Sequence, residues 1–132
     1  MIKDGIVADT SVLIEFLKGK EPISSKVEDL IKTNRIIVTG VVLAELLQGV
    51  KSKREEYRIL VLSEAVEVVE IPTDLWIKAG QISSSLRKRG INLPITDVAI
   101  ASLAIEYDLQ IFTLDSHFKK IPGVKLYKLR KN

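Results

Sequence analysis

Gly5-Ile6-Val7-Ala8-Asp9-Thr10-Ser11-Val12-Leu13-Ile14 is the stretch from which the fold of this chain can be read. Its first four residues read as a short buried strand, and Thr10 onward reads as the start of a helix. Asp9 stands at the junction. An ionised carboxylate beside an apolar run is unfavourable unless something binds it, because the charged form loses its water without compensation.

Three more acids share this setting. Asp115 follows the strand-like run Leu109-Gln110-Ile111-Phe112-Thr113-Leu114 and precedes Ser116-His117-Phe118. Asp97 opens Val98-Ala99-Ile100-Ala101-Ser102-Leu103-Ala104-Ile105, a helix expected to be buried almost all round, with Ile100, Ala101 and Ala104 on the side of the carboxylate. Glu45 interrupts Val41-Val42-Leu43-Ala44-Glu45-Leu46-Leu47, and helical spacing gives it a face with Val41, Val42 and Gln48. Taken singly, Asp9 and Asp97 suit helix N-termini and Asp115 suits an Asx turn. Glu45 has no such account, since the interior of a helix needs no cap. Together the four carboxylates point to a metal site.

Around them the chain alternates strands and helices. Gly5–Ala8, Ile36–Thr39, Val66–Ile71, Leu109–Thr113 and Val124–Tyr127 read as short strands rich in Ile and Val. The first helix runs from Thr10 to about Leu17 and stops at Gly19, and Pro22 starts a second with Ile23, Val27, Leu30 and Ile31 on one face. Lys53–Leu62 is an amphipathic piece with Tyr57, Leu60 and Val61 as its apolar residues. Asp74–Arg89 turns Leu75, Ile82 and Leu86 to the core, Gly90 ends it, and Pro94 opens the next helix. This pattern predicts an α/β domain with a mainly parallel sheet, as one domain over residues 1–132. In such sheets ligands gather beyond the carboxyl ends of strands, where Asp9 and Asp115 lie if their strands are neighbours.

Composition narrows the function. At 132 residues and 46% hydrophobic content the chain fills one core. With no cysteine, thiol nucleophiles, Cys-ligated zinc and iron–sulfur clusters are excluded, and a cytoplasmic setting is expected. No signal peptide or membrane helix is expected, because every apolar run falls far short of the roughly 18–20 residues that span a bilayer. The net charge is +3, and setting the four singled-out acids aside leaves 20 basic against 13 acidic residues, or +7. A basic shell around an acidic pocket suits a polyanion whose phosphate needs metal.

Val7-Ala8-Asp9-Thr10-Ser11-Val12-Leu13-Ile14, Thr39-Gly40-Val41-Val42-Leu43-Ala44-Glu45-Leu46-Leu47-Gln48-Gly49, Leu93-Pro94-Ile95-Thr96-Asp97-Val98-Ala99-Ile100-Ala101 and Ile111-Phe112-Thr113-Leu114-Asp115-Ser116-His117-Phe118 occur in this order. Together these motifs make the sequence resemble the PIN-domain ribonucleases, specifically the VapC-type toxins of toxin–antitoxin pairs, over essentially its full length. The resemblance implies a PIN-like α/β/α sandwich and Mg²⁺ or Mn²⁺ dependence. It also implies a single-stranded or loop RNA substrate, a homodimer, and a small VapB-type antitoxin bound over the site. It carries over Asp9, Glu45, Asp97 and Asp115 as the catalytic and metal-binding set, with Thr10, Ser11 and Thr113 as hydroxyls close to it.

The resemblance implies endoribonuclease activity, and the residues fit hydrolysis by metal-activated water, because hard carboxylate oxygens suit Mg²⁺ or Mn²⁺ and the single histidine, His117, has no partner for paired acid–base catalysis. His117 is expected to pack or hydrogen-bond beside Phe118 near Asp115, outside the catalytic set. Arg87-Lys88-Arg89 is a candidate RNA contact, although cations also suit a helix C-terminus. Trp76, Phe16, Phe112 and Phe118 read as core or interface residues. Two alternatives compete with the nuclease reading. A phosphotransfer domain with a phosphorylated Asp wants a second Asp two residues on, where this chain has Ser11. A non-catalytic partner-binding protein would use the acidic pocket to receive a basic residue.

Overall fold

The computed structural model describes residues 3–129. Its elements run β1 (Ile6–Ala8), α1 (Thr10–Leu17), α2 (Ile23–Lys32), β2 (Ile36–Thr39), α3 (Gly40–Gln48), α4 (Lys53–Ala65), β3 (Glu67–Val69), α5 (Thr73–Lys88), α6 (Ile95–Glu106), β4 (Gln110–Phe112) and β5 (Lys125–Leu126). A 3₁₀ turn, Ser116–Lys120, joins the last two strands.

All strand pairs are parallel, in the order β3-β2-β1-β4-β5. β1 therefore lies at the centre, with Ile6, Val7 and Ala8 wholly buried, as a strand covered on both faces must be. The chain proceeds from β1 to β2 on one side and reaches β4 on the other, so the strand order reverses between β1 and β4. A crevice opens at such a reversal beyond the strand ends. Ala8 pairs with Phe112, and Asp9 N donates to Phe112 O at 3.2 Å, which sets Asp9 and Thr113 side by side at that end.

The helices cover the sheet. α1 packs against α2 and α3, and α5 lies along α6. α6 buries seven consecutive residues, Val98–Ala104, so only its ends are free to carry chemistry. Gly90 ends the helix before it with φ +80°, a left-handed conformation that glycine adopts without steric cost.

Two expected faces are reversed. On α4 the core side is Ile59 and Leu62, whereas Tyr57, Leu60 and Val61 are exposed. On α3 the core side is Val42 and Leu46, one turn apart, so Glu45 is rotated out and exposed rather than held among apolar neighbours. Trp76, expected in a core or interface, is 37% exposed. No helix among the described residues is long and apolar enough to cross a membrane.

Candidate metal centre

Asp9 is built into the fold more deeply than any other site residue. It caps α1, with Oδ1 accepting from Val12 N at 3.2 Å and from Ser11 Oγ at 2.6 Å, while Oδ2 accepts from Thr113 Oγ1. Both hydroxyls accept in turn from the loop after β4: Leu114 N donates to Ser11 Oγ at 3.0 Å and Asp115 N to Thr113 Oγ1 at 2.9 Å. Two relays thus lock that loop onto the start of α1. Burial nevertheless raises the pKa of Asp9, because desolvation outweighs the hydrogen bonds from Ser11, Thr113 and Val12, and the charge of Asp115 adds to the rise.

Asp97 and Asp115 approach from elsewhere. Asp97 projects from the first turn of α6, and Asp115 caps the 3₁₀ turn by accepting from His117 N at 2.9 Å. His117 Nδ1 lies 3.0 Å from Asp97 Oδ2 and 3.2 Å from Asp115 Oδ1. Desolvation raises the pKa of Asp97 despite the opposing hydrogen bond to His117, and the carboxylates of Asp115 and Asp9 raise it further. The three aspartates therefore form one mutually repelling group.

Glu45 stands apart from them. Its Oε1 accepts from Thr10 Oγ1 at 3.0 Å, which ties α3 to the residue next to Asp9 while leaving the carboxylate exposed at the rim. Arg87, Lys88 and Arg89 are exposed at the end of α5. Arg87 and Lys88 line a hollow of about 450 Å³ with Ser83, Ser84 and Ile95, and Ile95 is two residues before Asp97. His117, expected outside the catalytic set, stands against two of its carboxylates. Its hydrogen bonding near Asp115 is as expected, but the contact with Asp97 crosses twenty residues of sequence and no local pattern announces it.

The PIN domain family profile matches residues 6–124. The chain belongs to the PIN-domain family. Ribonuclease VapC1 of Methanocaldococcus jannaschii is 30% identical over 125 residues, covering 92% of this chain and 86% of the relative. Ribonuclease VapC2 of Rickettsia felis is 30% identical over 125 residues, covering 89% and 92%. The fold matches that in the crystal structure of VapBC2 from Rickettsia felis bound to a DNA fragment from their promoter, with a TM-score of 0.80 and 25% identity over 95% of this chain and 98% of that one.

The donor set of this PIN domain fits a divalent ion. Partly buried carboxylates that repel one another, two of them with raised pKa, gain from a cation between them, and oxygen donors suit Mg²⁺ or Mn²⁺. Asp97, Asp115 and His117 offer ligand atoms that all lie within 4.8 Å of one another.

Proposed function

We propose that this chain is the metal-dependent endoribonuclease toxin of a toxin–antitoxin pair, acting on single-stranded or loop RNA. The convergence of Asp9, Asp97 and Asp115 at the strand-order reversal carries this reading, since hydrolysis of a phosphodiester needs a polarising centre at a cleft open to the chain being cut. Asp97 and Asp115 are the residues that would hold the ion, with the Asp9 carboxylate near enough to add its charge and Glu45 exposed alongside, tied to Thr10. Mg²⁺ or Mn²⁺ bound there supplies Lewis-acid polarisation of a phosphate oxygen and acidifies water. The chain's own residues do the positioning. Ser11 and Thr113 fix the Asp9 carboxylate, Thr10 orients Glu45, and the repulsion among the aspartates keeps the cleft receptive to cations rather than to free anions. Arg87, Lys88 and Arg89 meet the phosphates flanking the cut. A VapB-type antitoxin covers the site when the toxin is silent, and the active form is a homodimer.

The test uses purified protein freed of antitoxin, end-labelled structured RNA, Mg²⁺ or Mn²⁺, and an Asp97→Asn variant. Metal-dependent cleavage that leaves 5′-phosphate ends and is lost in the variant supports the proposal. Products ending in a 2′,3′-cyclic phosphate, or equal cleavage in EDTA, overturn it.

A further inference from the structure

We infer that His117 is a ligand of the metal ion and that its imidazole tilts the site from Mg²⁺ toward divalent first-row transition ions, with Mn²⁺ the hardest of these. The inference rests on the metal-dependent reading above and adds to it a residue and an ion preference. His117 Nδ1 lies 3.0 Å from Asp97 Oδ2 and 3.2 Å from Asp115 Oδ1. Neighbouring ligands of an octahedral ion with bonds of about 2.1 Å stand about 3.0 Å apart, so the imidazole nitrogen already stands at ligand spacing from one oxygen of each carboxylate, and donor atoms of all three residues lie within 4.8 Å of one another.

The backbone holds the ring there. His117 N donates to Asp115 Oδ1 at 2.9 Å inside the 3₁₀ turn, and the next residue, Phe118, is fully buried and anchors that turn to the core. In the metal-free site Nδ1–H donates to the Asp97 carboxylate; an ion would displace that proton to solvent and take the Nδ1 lone pair, while the 38% exposed side chain leaves Nε2–H to water. Magnesium keeps oxygen ligands and water in preference to nitrogen, whereas imidazole nitrogen binds transition ions readily. One nitrogen among carboxylates therefore shifts selectivity without changing the pocket's size.

The experiment measures binding rather than turnover. Metal-stripped full-length protein is titrated with Mn²⁺ by electron paramagnetic resonance, Mg²⁺ is used as competitor, and pulsed spectra of bound Mn²⁺ are searched for coupling to a directly coordinated ¹⁴N nucleus. His117→Asn places an amide oxygen near the position of Nδ1, and His117→Gln serves as a second variant, each checked for folding by circular dichroism. The wild-type protein is expected to show the ¹⁴N coupling. Both variants should lose it, and the Mn²⁺ over Mg²⁺ affinity ratio should fall by about tenfold or more. Bound Mn²⁺ without nitrogen coupling, or a ratio unchanged in both variants, overturns the inference while leaving the nuclease reading intact. Failure of the wild-type protein to bind Mn²⁺ at all overturns both.

Discussion

Thr113→Val keeps the shape of its side chain and deletes the one hydroxyl that donates to Asp9 Oδ2 and accepts from Asp115 N. Asp9 is only 6% exposed, so solvent does not replace the missing donor. A hydrogen bond to a charged group contributes about 1.5–3 kcal/mol, and the half-buried Asp115 amide loses about 0.5–1.5 kcal/mol more. Part of that loss is recovered, because Ser11 Oγ and Val12 N still hold the other oxygen and Asp9 can take up a proton more easily than before. A net destabilisation of about 2–3 kcal/mol is expected at neutral pH in EDTA. For a two-state domain of 132 residues each kcal/mol lowers Tm by about 3–4 °C, so the variant should melt about 6–12 °C below wild type. Thermal unfolding followed by far-UV circular dichroism measures this. Thr33→Val is the control, because its hydroxyl bonds only carbonyls at the exposed end of α2 and its removal should move Tm by no more than about 2 °C. The deficit of Thr113→Val should narrow as pH falls through the raised pKa of Asp9, because a neutral carboxyl loses less with the donor than a charged one. A variant that melts with wild type at neutral pH would show that the relay contributes nothing net.

Burial raises the pKa of both Asp9 and Asp97, so the native state holds protons at these sites more tightly than the unfolded chain does. Their stabilising contribution is full below the ordinary aspartate range and is lost as pH rises through the raised values. Saturating Mn²⁺ should therefore raise Tm more at neutral pH than in weak acid, and an equal gain at both would contradict a shared acidic site. Reversing charge with Arg87→Glu and Lys88→Glu should weaken RNA binding and make the salt dependence of log K shallower by about 0.7 for each single-strand phosphate that is no longer neutralised. An unchanged slope would remove these residues from the RNA surface. Phe118→Ala, at a fully buried position, should cost about 3–5 kcal/mol in chemical denaturation, and a loss below about 1 kcal/mol would show that the 3₁₀ turn is not anchored through this ring.

Strand and helix types were legible wherever one residue decided the local geometry. Ile36–Thr39 ends where Thr39 caps α3, and Thr10–Leu17 begins where Asp9 caps α1, so side chain and backbone signal the same boundary. The faces of helices were less legible. α3 carries apolar residues on most of its circumference, and the choice of Val42 and Leu46 for the core is made by the sheet beneath them, not by periodicity. That choice puts Glu45 at the rim. α4 failed for the same reason, with Tyr57, Leu60 and Val61 as apolar as the buried Ile59 and Leu62. The junction of Asp9 with Asp115 was accessible through the expectation that their strands pair, whereas the meeting of His117 with Asp97 depends on how α6 lies against the 3₁₀ turn, a packing relation that no short motif records.

The relays that fix Asp9 also set a clock. Asp9 and Thr113 are 104 residues apart, and a ribosome adding about 5–20 residues per second takes roughly 5–20 s to make the second after the first. During that interval the chain lacks the strand that pairs with one flank of β1, Thr113 to hold the second oxygen of Asp9, and Asp115 and His117 to meet Asp97. The reactive pocket closes only when β4 slots in next to β1, so a polypeptide still short of that strand carries the scaffold of the enzyme without its chemistry. The complete acidic pocket thus arrives late in the synthesis of each molecule, with the last of its carboxylates.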